Sequence, residues 1–230
     1  MANYLVVSPG QLTEGGDSGD LFSFRSAAVS ASTVVGGAGA DTVEMLDSVS
    51  SAKNVSITLK GGADVVTLSA SVLTAATLKG GAGGDTINFS GVGAIDNVML
   101  GDGSDVVTYR GATDLLGGSV AAGAGADLLS GNADISASGA SLLMGAGKDT
   151  VTLTASEFAS GVAKGGGNDD KITLNIAAGT DWTIDGGAGN DTLEVDTSFV
   201  TNLNENYPNS IFIDLTSGDM GQTDNPNLRD

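Results

Sequence analysis

The residues most able to do chemistry are nine aspartates that recur at a nearly constant spacing. Three of them lie in closely matching glycine-rich segments, GGAGADTV at 36–43, GGAGGDTI at 80–87 and GGAGNDTL at 186–193. Successive aspartates of the series are 20 to 23 residues apart. Carboxylates stacked about 5 Å apart repel by ~1 kcal/mol per neighbouring pair even in water, so the series predicts a row of bound cations or of capped turns. The nine are Asp20, Asp41, Asp64, Asp85, Asp105, Asp127, Asp149, Asp170 and Asp191.

The composition excludes several kinds of site and partner. The 230 residues include no histidine and no cysteine, which removes Ser-His-Asp and Cys-His triads, zinc and haem ligation, and disulfides. With 9 basic and 28 acidic residues the formal charge is −19, which disfavours nucleic acid and anionic membranes and attracts cations. We expect no enzyme, no nucleic acid partner and no membrane insertion.

The residues around each aspartate predict the elements that position it. The second residue after it is apolar in all nine copies and the third is polar, which is the alternation of a strand with one face inward. The seventh residue before it is also apolar from the second copy onward, which predicts another strand ahead of each turn. A repeat of about 21 residues is too short for a βαβ unit, which needs about 30. We therefore predict an all-β fold, a parallel β-solenoid of about nine coils.

The repeat also predicts the organisation of the chain. Residues 1–14 form an N-terminal cap strand, residues 15–196 the solenoid, and residues 197–230 a C-terminal cap with an extended tail. The tail is rich in asparagine and holds one apolar strand at 211–213. The N-terminus has no basic segment and only a short apolar run, so we expect no cleavable signal peptide.

The turn pattern Gly-Gly-x-Gly-x-Asp-x-apolar resembles the calcium-binding nonapeptide of the repeats-in-toxin proteins. The resemblance covers roughly residues 15 to 196 and implies a β-roll with Ca²⁺ between stacked turns, held by aspartate carboxylates and backbone carbonyls. Carried over residue by residue, it implies Asp41, Asp85 and Asp191 first as metal ligands, and Asp20 last. The intermediate ligands are Asp64, Asp105, Asp127, Asp149 and Asp170.

The chain also departs from that family. Each coil has one glycine-rich turn and a longer, irregular return, so calcium would line one edge only. The turns before Asp64, Asp105, Asp127 and Asp149 lack the first glycine, which loosens the carbonyl geometry there. The alternative to calcium is that each aspartate accepts hydrogen bonds from the N–H groups of its own turn.

Other features carry weaker predictions. Asp169 and Asp170 are adjacent, so they point to opposite faces of a strand and do not form a catalytic dyad. The basic residues form no cluster of the kind that a polysaccharide lyase needs. The Thr-rich run at 150–154 is not repeated in other coils as an ice-binding array would require, and Trp182 is interpreted as a packing residue.

These observations leave two classes of function open. The first is a structural component of a surface assembly, either a virion decoration or fibre subunit of a phage or a bacterial surface-layer or adhesin module. The second is a calcium-binding repeats-in-toxin protein exported by a type I system. In all of these the partners are protein subunits, possibly other copies of the chain, and the location is a virion surface, a cell surface or the extracellular space.

Overall fold

The structure is a computed structural model that describes residues 2–6, 9–45, 49–69, 73–90, 97–110, 117–157, 160–176, 182–196 and 212–214. These residues form 23 strands and no helix. All pairing between strands is parallel, and strands from successive coils lie side by side. The chain therefore winds as a solenoid in which each coil adds one strand to each of two long sheets.

Sheet 1 consists of one N-terminal strand and the nine strands that follow the aspartates, each bonded to the corresponding strand of the next coil. Its ten strands, in spatial order, are β1 (Asn3–Val6), β3 (Leu21–Phe24), β6 (Thr42–Met45), β9 (Val65–Leu68), β12 (Thr86–Ser90), β14 (Val106–Arg110), β16 (Leu128–Ser136), β18 (Thr150–Glu157), β20 (Lys171–Ile176) and β22 (Thr192–Asp196).

Sheet 2 consists of the nine strands that lead into the glycine-rich turns and one C-terminal strand. Its ten strands are β2 (Leu12–Glu14), β5 (Thr33–Val35), β8 (Ser56–Gly61), β11 (Thr77–Ala82), β13 (Asn97–Asp102), β15 (Ser119–Ala124), β17 (Ala140–Ala146), β19 (Gly161–Gly167), β21 (Trp182–Ala188) and β23 (Phe212–Asp214). A short third sheet closes the side of the early coils with β4 (Ala28–Ser30), β7 (Ser51–Lys53) and β10 (Leu73–Thr74).

The core is a set of apolar columns that run along the solenoid axis. Because side chains alternate across a strand, the second and fourth residues after an aspartate, such as Ile87 and Phe89 after Asp85, point inward, and register carries each column from coil to coil. Phe89 and Tyr109 in one of these columns are buried, and their rings stack with centroids 4.9 Å apart. Sheet 2 contributes inward residues such as Leu78, Val98 and Val120.

Glycine is required in the turns because neighbouring coils approach there backbone to backbone. Gly81 has a φ of 122°, and a Cβ placed on it would collide with the carbonyl oxygen of Lys60 in the preceding coil. A side chain at this position would force the coils apart, so the glycine content follows from the stacking.

The predicted all-β parallel solenoid with a period near 21 residues is confirmed, and each of its two long sheets contains ten strands. At the N-terminus β1 and β2 form the edges of the two long sheets. Of the predicted tail at 197–230, the structure describes only β23. This strand overlaps the predicted strand at 211–213 and pairs with β21. The irregular returns at 70–72 and 91–96 also lie outside them.

Candidate functional site

The aspartates lie inside the solenoid, where the chain leaves each turn and enters sheet 1. Eight of the nine have an exposed fraction of 3% or less, and Asp191 in the last turn is half-buried. Each precedes a strand directly, so the register that aligns the strands also aligns the aspartates in one row. We call this row the aspartate ladder.

Backbone hydrogen bonds connect the ladder from coil to coil. The Oδ1 atom of each aspartate from Asp41 to Asp191 accepts a hydrogen bond from the backbone N–H of the aspartate one coil earlier, with N···O distances of 2.6 to 2.9 Å. At the N-terminal end Asp20 accepts from the N–H of Ala2 at 2.8 Å. One oxygen of every carboxyl group therefore joins two coils, a contact that the sequence did not predict.

The second carboxylate oxygen, Oδ2, divides the aspartates into two groups. In Asp20 and Asp41 it accepts a hydrogen bond from the N–H of Gly16 and Gly37 at 2.8 and 2.9 Å. In the six aspartates of the middle and later coils, Oδ2 is buried and has no hydrogen bond partner among the described residues. These six, which we call the open aspartates, are Asp64, Asp85, Asp105, Asp127, Asp149 and Asp170.

The backbone four residues before each aspartate accounts for the difference. Gly16 and Gly37 have ordinary φ angles and direct their N–H groups at Oδ2. Before each open aspartate the equivalent residue has a positive φ, between 78° and 122°, and no N–H group reaches Oδ2. These residues are Lys60, Gly81, Gly101, Gly123, Gly145 and Gly166.

The residue five positions before the aspartate divides the open aspartates further. At Gly80 and Gly165 a Cβ would collide with Oδ2 of Asp85 and Asp170, so this oxygen occupies the space that a side chain would otherwise fill. In the four turns that lack this glycine, the replacement is an apolar side chain with an exposed fraction of at most 1%. These replacements are Leu59, Leu100, Ala122 and Met144.

The pKa values reflect this apolar setting. Burial raises the pKa of Asp64 to about 7, although the hydrogen bond from Asp41 acts in the opposite direction. Burial also raises the pKa of Asp85 and Asp149, and raises it to about 6 in three others, Asp105, Asp127 and Asp170. The two N–H groups from Ala2 and Gly16 lower the pKa of Asp20. An open aspartate therefore requires a proton or a cation to offset its buried charge.

Two turns fit a cation better than the rest. A Cβ added to Gly80 would meet Oδ2 of Asp85 and would lie 2.7 Å from the carbonyl oxygen of Leu100, so both oxygens border the space beside this glycine. Beside Gly165, the carbonyl oxygen of Gly186 lies 2.5 Å from the equivalent place next to Asp170. Carboxylate and carbonyl oxygens are the donors that calcium prefers. In the part of the chain that the structure describes, no group of three or more acidic side chains is placed to hold a metal ion, so each site would rely on one carboxylate with carbonyl oxygens and water.

The structure brings all nine predicted residues into one row but gives them different surroundings. Asp41 is predicted among the first ligands, but both of its carboxylate oxygens accept hydrogen bonds from backbone N–H groups, as in a capped turn. Asp191 accepts from Asp170 at 2.9 Å and lies beside Gly186. Asp169 is exposed while Asp170 is buried, consistent with opposite faces, and Trp182 packs in the core with 1% exposure.

Sequence analysis missed the buried apolar residues that lie five positions before four of the open aspartates. The signal was present, because the missing first glycine is replaced by Leu, Ala or Met and never by a polar residue in these four turns. The sequence interpretation treats the missing glycine only as a loosening of the carbonyl geometry, whereas the structure places the residues that replace it in the core.

No family model, curated protein or solved structure matches the chain. Within the described residues there is no helix with the length and apolarity that a membrane crossing requires.

Proposed function

We propose that the protein is a structural, non-enzymatic β-solenoid that forms part of a surface assembly and that calcium stiffens along one edge. The observation that supports this most is the aspartate ladder itself. Its carboxyl groups are the residues best suited to acid or base chemistry, yet they are buried and bonded to the backbone of the neighbouring coil. Groups held in this way join coils and cannot meet a substrate.

Calcium is proposed at the turns whose carboxylate has a free oxygen beside glycine. Asp85 and Asp170 would hold the ion together with the carbonyl oxygens of Leu100 and Gly186. Asp191 is the next candidate because its turn has the full glycine motif and its Oδ2 lies beside Gly186. Bound calcium would supply positive charge that offsets the buried carboxylates and draws two coils together. The resemblance to the repeats-in-toxin turn supports the same ion.

The four open aspartates with an apolar neighbour rank lower as ligands, because Leu59, Leu100, Ala122 or Met144 leaves less room for an ion and its water. Asp20 and Asp41 rank lowest, because N–H groups already occupy both of their oxygens.

Thermal unfolding with and without a calcium chelator tests the ion. A ligand that binds only the folded state at ten times its Kd adds about 1.4 kcal/mol per site, so calcium should raise Tm clearly. Magnesium should raise it less, because it requires tighter octahedral geometry. Asp85→Asn should remove part of the calcium response, whereas the control Asp41→Asn should keep it. Equal Tm values with calcium and with chelator, together with no bound calcium by mass spectrometry, would contradict the calcium proposal.

The assembly in which the protein is located is a separate part of the proposal. A virion decoration or fibre subunit of a phage is the first setting, and a bacterial surface layer, an adhesin or a type I-secreted protein is the second. A strongly acidic rod suits any of these, since its charge of −19 keeps it away from nucleic acid and anionic membranes. Immunogold electron microscopy of virions and of cell surfaces separates the settings, and the neighbouring genes should encode capsid and tail proteins or a type I transporter accordingly.

A further inference from the structure

Two outward columns of sheet 1 carry no charged residue over five successive coils, although the chain has a formal charge of −19; on the same face the exposed Arg110 lies beyond them, at the end of β14. Strands β9, β12, β14, β16 and β18 present two outward columns there, made of the first and third residues after each aspartate. We call these ten residues the hydroxyl face. They are Val65, Thr86, Val106, Leu128 and Thr150 in the first column and Thr67, Asn88, Thr108, Ser130 and Thr152 in the second.

Charged residues bound the hydroxyl face at both ends. Glu44 is paired with Thr67 in the second column, and Lys171 is paired with Thr150 in the first. Lys171 in turn lies 3.4 Å from Glu194 in the next coil. The neutral area is therefore confined to the middle of the rod.

The register makes this face an array rather than a scatter of small residues. The threonine run at 150–154 is not repeated as a run, but strand pairing aligns its Thr152 with Ser130, Thr108, Asn88 and Thr67 in a continuous polar column. The hydroxyls of Ser130 and Thr108 are 3.5 Å apart along that column. Parallel strands repeat about every 4.8 Å, and residues two apart on a strand are about 6.7 Å apart, so the groups lie on a rectangular grid.

The dimensions and chemistry of the face limit what can bind it. A grid of five strands and two columns covers on the order of 300 Å², against about 800 Å² per partner in a stable protein interface. A small-molecule site is a cleft, whereas this is the outside of a sheet. The ten residues themselves offer no opposite charge to a charged ligand. A flat, neutral ligand that repeats on a similar grid can contact every row.

We propose that the hydroxyl face binds ice, a function that does not depend on calcium or on an assembly. Hydroxyl groups both donate and accept hydrogen bonds, as the water molecules of an ice surface do. The methyl groups of threonine and valine, together with exposed Val65 and Leu128 at 38% and 39%, favour release of liquid water from the face. The sheet is held rigid by its ladder and by the core beneath, so little side-chain and backbone freedom is lost on binding.

Ice-affinity partitioning tests the proposal with the full chain in calcium-containing buffer. An ice hemisphere is grown slowly in the protein solution, and the protein in the melted ice is measured by absorbance. The wild type should be enriched in the ice several-fold over a protein that does not bind ice, and it should arrest growing ice crystals. Thr108→Glu and Thr152→Glu should each lower the enrichment by at least half, because a charge on the grid must be desolvated against ice.

Ser119→Glu is the matched control, since Ser119 is a half-buried residue at the centre of the outer face of sheet 2. It should leave the enrichment unchanged, and circular dichroism should show all variants folded. Exclusion of the wild type from ice would overturn the proposal. An equal loss in Ser119→Glu would overturn the assignment to sheet 1, and binding to insoluble cellulose or chitin without binding to ice would replace ice by a neutral polysaccharide.

Discussion

At the scale of single residues, two neighbours decide the state of each aspartate. The backbone conformation four residues earlier determines whether an N–H group caps Oδ2, and the residue five positions earlier is either a glycine beside that oxygen or a buried apolar residue. Asp41 illustrates the capped state and Asp105, beside Leu100, the open apolar state. The same motif residue thus occupies different chemical environments along one row.

The raised pKa values of the open aspartates predict how stability depends on pH in the absence of metal. A carboxyl group whose pKa rises from 3.8 to about 6 or 7 on folding binds its proton more tightly in the folded state. Between these values the folded chain holds more protons than the unfolded chain, so its stability falls as pH rises through that window. With chelator present, Tm should be higher at pH 5 than at pH 8.

A series of unfolding curves between pH 4 and pH 8 checks this prediction. Asp105→Asn should flatten the pH dependence, because an amide in this position needs no proton. Asp20→Asn should not flatten it, because the pKa of Asp20 is lowered and its titration acts in the opposite direction. A Tm that rises from pH 5 to pH 8 in the metal-free protein would show that the open carboxyls are solvated.

At the scale of elements, the corners between the short third sheet and sheet 2 bend through residues with positive φ. Ala31, Asn54 and Ala75 occupy this position in three successive coils, with φ between 51° and 53°. Asparagine tolerates this conformation, whereas alanine is disfavoured in it because its Cβ approaches the following carbonyl oxygen. The coil accepts this local cost because the flanking strands β10 and β11 are held by their neighbours.

Ala75→Gly should therefore stabilise the protein, by about 1 kcal/mol, since glycine adopts positive φ without the Cβ conflict. The neighbouring Ala76→Gly is the control. Ala76 is 7% exposed with an ordinary φ, so that change should destabilise by about 1 kcal/mol through lost packing and added freedom of the unfolded chain. Chemical denaturation of both variants measures the difference, and destabilisation by Ala75→Gly would show that the corner is not strained.

At the scale of the whole molecule, stability depends on columns that run through every coil. Each inward column is continuous only if all coils share one register. A substitution that disrupts the packing of a middle coil therefore also destabilises the coils before and after it. Ile87 lies in such a column between Val66 and Val107, with no exposed surface. Thr86, one residue earlier, belongs to the hydroxyl face.

Ile87→Asp and Thr86→Asp test this register with adjacent residues and the same new side chain. An unpaired charge in the core costs several kcal/mol, so Ile87→Asp should unfold the middle coils or lower Tm sharply. Thr86→Asp points outward and should change Tm little. Melting curves of the two variants decide the matter, and similar Tm values would be incompatible with the alternation described for β12.

By itself the sequence determined the solenoid, its period and the alignment of the nine aspartates, because alternation of side chains and a fixed repeat are local properties of the chain. It ranked Asp41 with Asp85 and Asp191, because the three share one motif. Only the tertiary structure separated Asp41 from Asp85, since the φ of Gly81 and the contacts of its coil depend on the neighbouring turns. The hydroxyl face likewise exists only after pairing, because register across five coils places Thr67 and Thr152 in one column although 85 residues of chain separate them.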